Sequence, residues 1–140
     1  MSDRGKIKYL DRYKQLISYE GLERHRKITP TDIDGFIDYN GNAFFYIEGK
    51  EESRYKRGGL DTGQKRAIQN LIKSNTMAGH AAAAVIFTHT CSVNEIINAK
   101  DMKIVEAYFD RKWHKLNGSC TLSDAIDRFE KYCENKGIYI

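Results

Sequence analysis

Hydrophobic and polar positions along the chain follow two periods. From Asp3 to Lys27 the residues Tyr9, Tyr13, Leu16, Ile17 and Glu20 recur at spacings of three and four, which predicts a helix with these side chains on one face. An acid, Glu20, on that inward stripe is unusual. Thr29-Pro30 ends the helix, because the residue before a proline is pushed out of the helical region. The period then changes. Asp32 to Tyr39 and Ala43 to Lys50 are rich in Phe, Ile and Tyr, and Asn40-Gly41-Asn42 lies between them. This predicts two strands joined in a hairpin, since Asn and Gly tolerate positive φ. A charged loop, Glu51 to Leu60, follows and ends in Gly58-Gly59.

The second half repeats the alternation. Ala67, Ile68, Leu71 and Ile72 predict a helix over Gly63 to Met77, capped by Asp61 or Thr62 and closed by Gly79. His80 to Thr90 contains AAAAVIF and predicts a buried central strand. Met102 to His114 predicts one more strand, with Ile104, Glu106, Tyr108 and Asp110 alternating against Val105, Ala107, Phe109 and Arg111. Thr121-Leu-Ser-Asp124 opens a last helix with a capping box, and Gly137 ends it. The order α-β-β-α-β-β-α predicts one α/β domain over residues 1–140, a central mixed sheet flanked by helices.

Composition narrows the class. The 140 residues are 41% hydrophobic and 30% charged, as in a soluble globular protein, with one Pro and no linker-like stretch. No apolar run reaches the length of a membrane span, and the N-terminus has no signal-peptide core, so the expected location is the cytoplasm. Cys91, Cys120 and Cys133 are odd in number and widely spaced, which argues for reduced thiols rather than disulfides or zinc. The net charge of +4 permits a polyanionic partner without requiring one. The bases are uneven: Lys6, Lys8, Arg12 and Lys14 lie early, then Arg24, Arg26 and Lys27. Arg54, Lys56, Arg57, Lys65 and Arg66 follow the hairpin. They read either as solvated surface or as a phosphate-facing rim.

The segment TDIDGFIDYNGNAFFYIEGK concentrates the candidate chemistry. Glu48 and Lys50 share a strand face because side chains alternate. With a three-residue turn at Asn40 to Asn42, Asp34 lies opposite Glu48, and Asp32, Asp34, Glu48 and Lys50 gather on one face. With a two-residue turn Asp34 faces away. Carboxylates suit a hard cation such as Mg²⁺ or Mn²⁺, with the Gly49 carbonyl as a further ligand and Glu20 closing the site. A lysine beside them can orient water and balance charge in phosphodiester hydrolysis. The acid-x-Lys triplet alone says little. It recurs at Asp101-Met-Lys103, Asp110-Arg-Lys112 and Glu134-Asn-Lys136.

The span from Asp34 through Glu48-Gly49-Lys50 to a helix opening Gly63-Gln64 resembles the PD-(D/E)XK nuclease superfamily, most nearly its small phage-type and RecB-like members. The resemblance covers about Glu20 to Thr90. It implies a restriction-endonuclease-like core, metal ligation by Asp34 and Glu48, catalytic assistance from Lys50 and support from Gln64. It also implies DNA as substrate and, for a phage-encoded chain, the host cytoplasm. Two features depart from the family pattern: Ile68 stands where a tyrosine often follows the glutamine, and Pro30 precedes Asp32 by one residue too many. The first-helix acid is either Glu20 or Glu23.

The expectation is therefore a metal-dependent deoxyribonuclease with Arg54, Lys56, Arg57 and Lys65 on the nucleic-acid side. The small size leaves room for a homodimer that grips a duplex. The rival expectation is a non-catalytic nucleic-acid- or protein-binding module on the same fold, such as a phage inhibitor of host defence. Trp113, among Arg111, Lys112, His114 and Lys115, could stack on a base or cap the core.

Overall fold

A computed structural model describes residues 5–13 and 15–140, in two units, Met1–Pro30 and Thr31–Ile140. Among its described residues the first unit does not form the long helix that its periodicity predicts. The helical content of those residues is one turn, α1 (Leu10–Tyr13), and a 3₁₀ turn at His25–Lys27. Gly5 and Gly21 adopt positive φ, and three residues of the stripe stand in water: Tyr9 is 74%, Leu16 99% and Ile17 76% exposed. Spacing makes a helix stable only when its apolar face finds something to pack against. Asp3 and Lys14, part of that expectation, lie outside the described residues.

The second unit carries the sheet. Its elements are β1 (Gly35–Asp38), β2 (Ala43–Glu51), α2 (Glu52–Gly58), α3 (Thr62–Met77), β3 (Ala81–His89), β4 (Lys103–Phe109), β5 (Lys112–Lys115) and α4 (Leu122–Asn135). The five strands lie in the order β1-β2-β3-β4-β5. β2 and β3 run parallel and the other pairs antiparallel. The parallel pair needs a crossover, and α2 and α3 supply it. This is an α/β arrangement with a mixed sheet, as the alternation of periods predicts.

Side-chain alternation divides the core in two. Ala43, Phe45, Val85, Phe87, Ile104, Leu122, Phe129 and Cys133 pack together on the side of α4. Tyr46, Leu60, Ile68, Ile72, Ala84, Ile86 and Tyr108 pack together on the side of α3. The capping box forms as the sequence predicts: Thr121 Oγ1 accepts from the Asp124 N–H, and Asp124 Oδ2 accepts from the Thr121 N–H.

Two local expectations fail for physical reasons. The segment Glu51 to Leu60 is not a loop. The Glu51 carboxylate accepts from the Ser53 and Arg54 N–H groups and caps α2, while Gly59 at φ 66° ends it. The strand expected from Met102 to His114 is a hairpin. Asp110 and Arg111 both take positive φ (52° and 65°) and turn the chain. A β-bulge between Ile86 and Phe87 also interrupts the register with β4, so Ile104 joins the α4-side core while Glu106 and Tyr108 face α3.

Candidate functional site

The hairpin register decides which acids meet. Gly35 pairs with Ile47, Ile37 with Phe45 and Asp38 with Phe44, which extends to Asp34 opposite Glu48. Asn40 to Asn42 therefore form the three-residue turn. The Tyr39 N–H donates to the Ala43 carbonyl (3.0 Å), and the Asn42 N–H donates to the Tyr39 carbonyl (3.0 Å). Asn40 (φ 55°) and Gly41 (φ 79°) supply the left-handed residues, and Asp38 Oδ1 accepts from the Gly41 N–H.

The two acids are laced together through the backbone. The Asp34 N–H donates to Glu48 Oε1 (3.1 Å), and the Gly49 N–H donates to Asp34 Oδ2 (2.8 Å). Asp34 is exposed, whereas Glu48 is only 3% exposed. Burial, followed by the nearby Asp34 charge, pushes the Glu48 carboxyl up from 4.5 to about 7, against smaller opposing pulls from the Asp34 N–H bond and then from Lys50. Lys50 is half-buried two residues on, on the same face of β2.

Gly49 has a packing role as well. A Cβ placed there would stand 2.3 Å from the ring of Phe87, its partner on β3. The middle residue of the acid-x-Lys triplet must therefore be glycine, because a core aromatic crosses its α-carbon.

The other expected site residues divide. Gln64 is half-buried in the first turn of α3, and among the described residues no hydrogen bond joins its amide to the acids. Glu20 is exposed in a turn of the first unit rather than on an inward helix face. Asp32 is exposed ahead of β1. Among the described residues no three His, Cys, Asp or Glu side chains converge as a metal-holding group. The hairpin itself offers two carboxylates and the backbone carbonyl of Gly49. That donor set suits a hard cation which keeps much of its own water.

A second acid lies on the same sheet face. Glu48 pairs with Ile86, and Ile86 with Glu106, so the three form one row across β2, β3 and β4. At the ordinary strand spacing the two glutamates stand about 10 Å apart. Glu106 is 2% exposed. It accepts from the Tyr55 hydroxyl (2.6 Å) and from Lys65 Nζ (2.9 Å). Burial and this bond to Glu106 push the Tyr55 phenol well up. The Lys65 ammonium also sits 5.1 Å from the centroid of Trp113, whose ring meets Tyr108 edge-on and caps the α3-side core.

Above Glu106 opens a cleft of about 370 Å³ lined by Lys56, Arg57, Lys65, Lys115 and the Gly58-Gly59 backbone. Three of the four bases expected to face nucleic acid line it, and Arg54 does not. Lys115 was not singled out in the sequence, yet the β4-β5 hairpin brings it opposite Glu106. A larger cleft of about 450 Å³, lined by His89, Asp101 and Lys103 among others, lies elsewhere. Neither cleft is lined by Asp34 or Glu48. The sequence signal for Glu106 was present, an acid inside the apolar run IVEAYF, but an unbroken alternation gave it no partner.

Comparisons with protein-family models, with curated proteins and with solved structures find no match for this chain. No helix of the described residues is long and apolar enough to cross a membrane.

Proposed function

We propose that this chain is a metal-dependent nuclease of the PD-(D/E)XK kind that hydrolyses DNA phosphodiester bonds. The observation that carries the reading is the Asp34–Glu48 pair, a buried carboxyl held beside a second one, with Lys50 on its face. Two like charges so close favour a proton or a cation between them. Asp34, Glu48 and the Gly49 carbonyl would hold Mg²⁺ or Mn²⁺, which polarises a phosphoryl oxygen and acidifies water when bound.

The protein's own groups supply the rest. Asp34 is fixed by the Gly49 N–H and its carboxyl lies within hydrogen-bond reach of the Glu48 carboxyl, so the pair can share a proton or a cation. Lys50 balances the charge that grows on the phosphoryl oxygens and orients the attacking water. Gln64 stands at the head of α3 as a supporting group. The cleft of Lys56, Arg57, Lys65 and Lys115 offers positive charge to the flanking backbone.

The test incubates the protein with linear, circular and single-stranded DNA, with Mg²⁺ or Mn²⁺, beside Lys50→Ala. Metal-dependent cutting that the variant loses is the expected result. Equal behaviour of the two proteins overturns the enzyme. The basic cleft, which the acids do not line, favours a second reading: a non-catalytic binding module on the same fold. DNA binding without cutting by either protein would select it.

A further inference from the structure

The net charge of the chain is not spread over it. Residues 1–30 hold eight Lys and Arg against four Asp and Glu, a net of +4, whereas residues 31–140 hold fifteen of each and are neutral. The whole excess belongs to the first unit, Met1–Pro30. That unit also leaves large apolar side chains in water. Leu16 is 99%, Ile17 76%, Tyr9 74% and Ile28 60% exposed. A segment that buries so little gains little from folding by itself, so a partner is the natural source of its order.

One part of the unit is built. The Arg24 N–H donates to the Ile28 carbonyl (2.6 Å), and the Ile28 N–H donates to the His25 carbonyl (3.3 Å). Between them Arg26 and Lys27 hold φ of 60° and 62° with no glycine to ease it. This tight loop sets Arg24, His25, Arg26 and Lys27 around one tip, all exposed. Further up the chain, Lys8 precedes Tyr9 and Arg12 lies within α1.

We propose that the first unit is a nucleic-acid grip, in which the Arg24–Lys27 loop, with Lys8 and Arg12, neutralises phosphates of the backbone. Charge complementarity selects the occupant: a +4 segment attracts a polyanion over its whole length, whereas the sheet domain is neutral overall and gathers its positive charge in one cleft. The inference shares its ligand with the nuclease reading and stands without it, because binding requires neither metal nor Lys50.

The experiment measures binding of the full chain to a labelled single strand and a labelled duplex in EDTA, from 50 to 200 mM KCl. The variant R24Q/R26Q/K27Q is set beside K73Q/K100Q/K131Q, which removes the same charge from the second unit. For the first variant, the slope of log K against log salt should shrink by about 3 on the duplex or about 2 on the single strand. Its affinity should fall at least about tenfold at low salt. The second variant should keep its slope. The tighter of the two nucleic acids identifies the form gripped. A second variant pair, K8Q/R12Q, repeats the test outside the loop should the first variant fail to fold. Equal losses for both units, no DNA binding by the wild type, or binding to phosphatidylserine vesicles alone would overturn the proposal. Cutting assays in Mg²⁺ fail or succeed independently, so the two readings can be told apart.

Discussion

Glu48 and Glu106 occupy equivalent ground in different company. Both are almost fully buried, both face α3, and one residue of β3 separates them in a single row. Glu106 receives a hydroxyl and an ammonium, from Tyr55 and Lys65. Glu48 receives one backbone N–H and lies against a second carboxylate, Asp34. Burial costs a charge heavily unless donors surround it. The first glutamate is thus a satisfied strut between α2, α3 and the sheet. The second holds unspent affinity for a proton or a cation. A buried acid by itself identifies nothing; its neighbours decide what it can do.

The strongest way to break this contrast is to neutralise each acid in turn. Glu48→Gln should lower metal-dependent DNA cutting by about 100-fold or more, the scale of a lost group that acts in the transition state. Glu106→Gln should leave the rate per folded molecule within a few-fold. Single-turnover rates on one linear DNA decide it, and the reverse ranking would move the active centre to Glu106.

Stability should rank the two acids the other way. Glu106→Ala strands Lys65 and the Tyr55 hydroxyl and should cost about 3 kcal/mol, since one partner of a buried pair remains. Urea unfolding in EDTA measures it, and a loss below about 1 kcal/mol would show that the pair is not a strut. Gly49→Ala should come next, at about 2 kcal/mol, because the new Cβ drives into the Phe87 ring. The double variant with Phe87→Leu should recover part of that loss. An unchanged midpoint for Gly49→Ala alone would show that the ring moves aside freely.

The last effect, comparable in size to that of Gly49→Ala, is a pH dependence of opposite sign to the usual carboxylate. The folded value of Glu48, about 7, lies above its ordinary 4.5, so the folded state holds the extra proton between these limits. Its contribution to stability is therefore full below about pH 4.5 and is lost as pH rises through about 7. Metal-free wild type should lose about 1–3 kcal/mol across that window, and Glu48→Gln should lose less. Equal stability at pH 5 and pH 8 for the wild type would show that burial and Asp34 do not hold the Glu48 carboxyl up.

Much of this site was legible before any fold. Asn40-Gly41-Asn42 set a hairpin, and parity showed that a three-residue turn would bring Asp34 to Glu48 and a two-residue turn would not; the structure selected the three-residue turn. The capping box at Thr121 and the buried alanine-rich strand were legible for the same reason: each depends on neighbours along the chain. The first helix was misread because its stripe has the right spacing yet stays exposed, as Leu16 shows. The Asp110-Arg111 turn carries no glycine to announce it, so two strands looked like one.

By itself the amino-acid sequence determined the two periods, the α/β class, the hairpin and the acids and lysine upon it, all set by contacts within a few residues. Tertiary structure alone decided that Phe87 forbids a side chain at position 49. It likewise decided that a bulge turns Ile104 away from Glu106, and that Tyr55 and Lys65, from two helices, converge on that acid. Those outcomes depend on strand order and on which helix covers which face. Residues up to 51 positions apart meet there, and no local pattern encodes such a meeting.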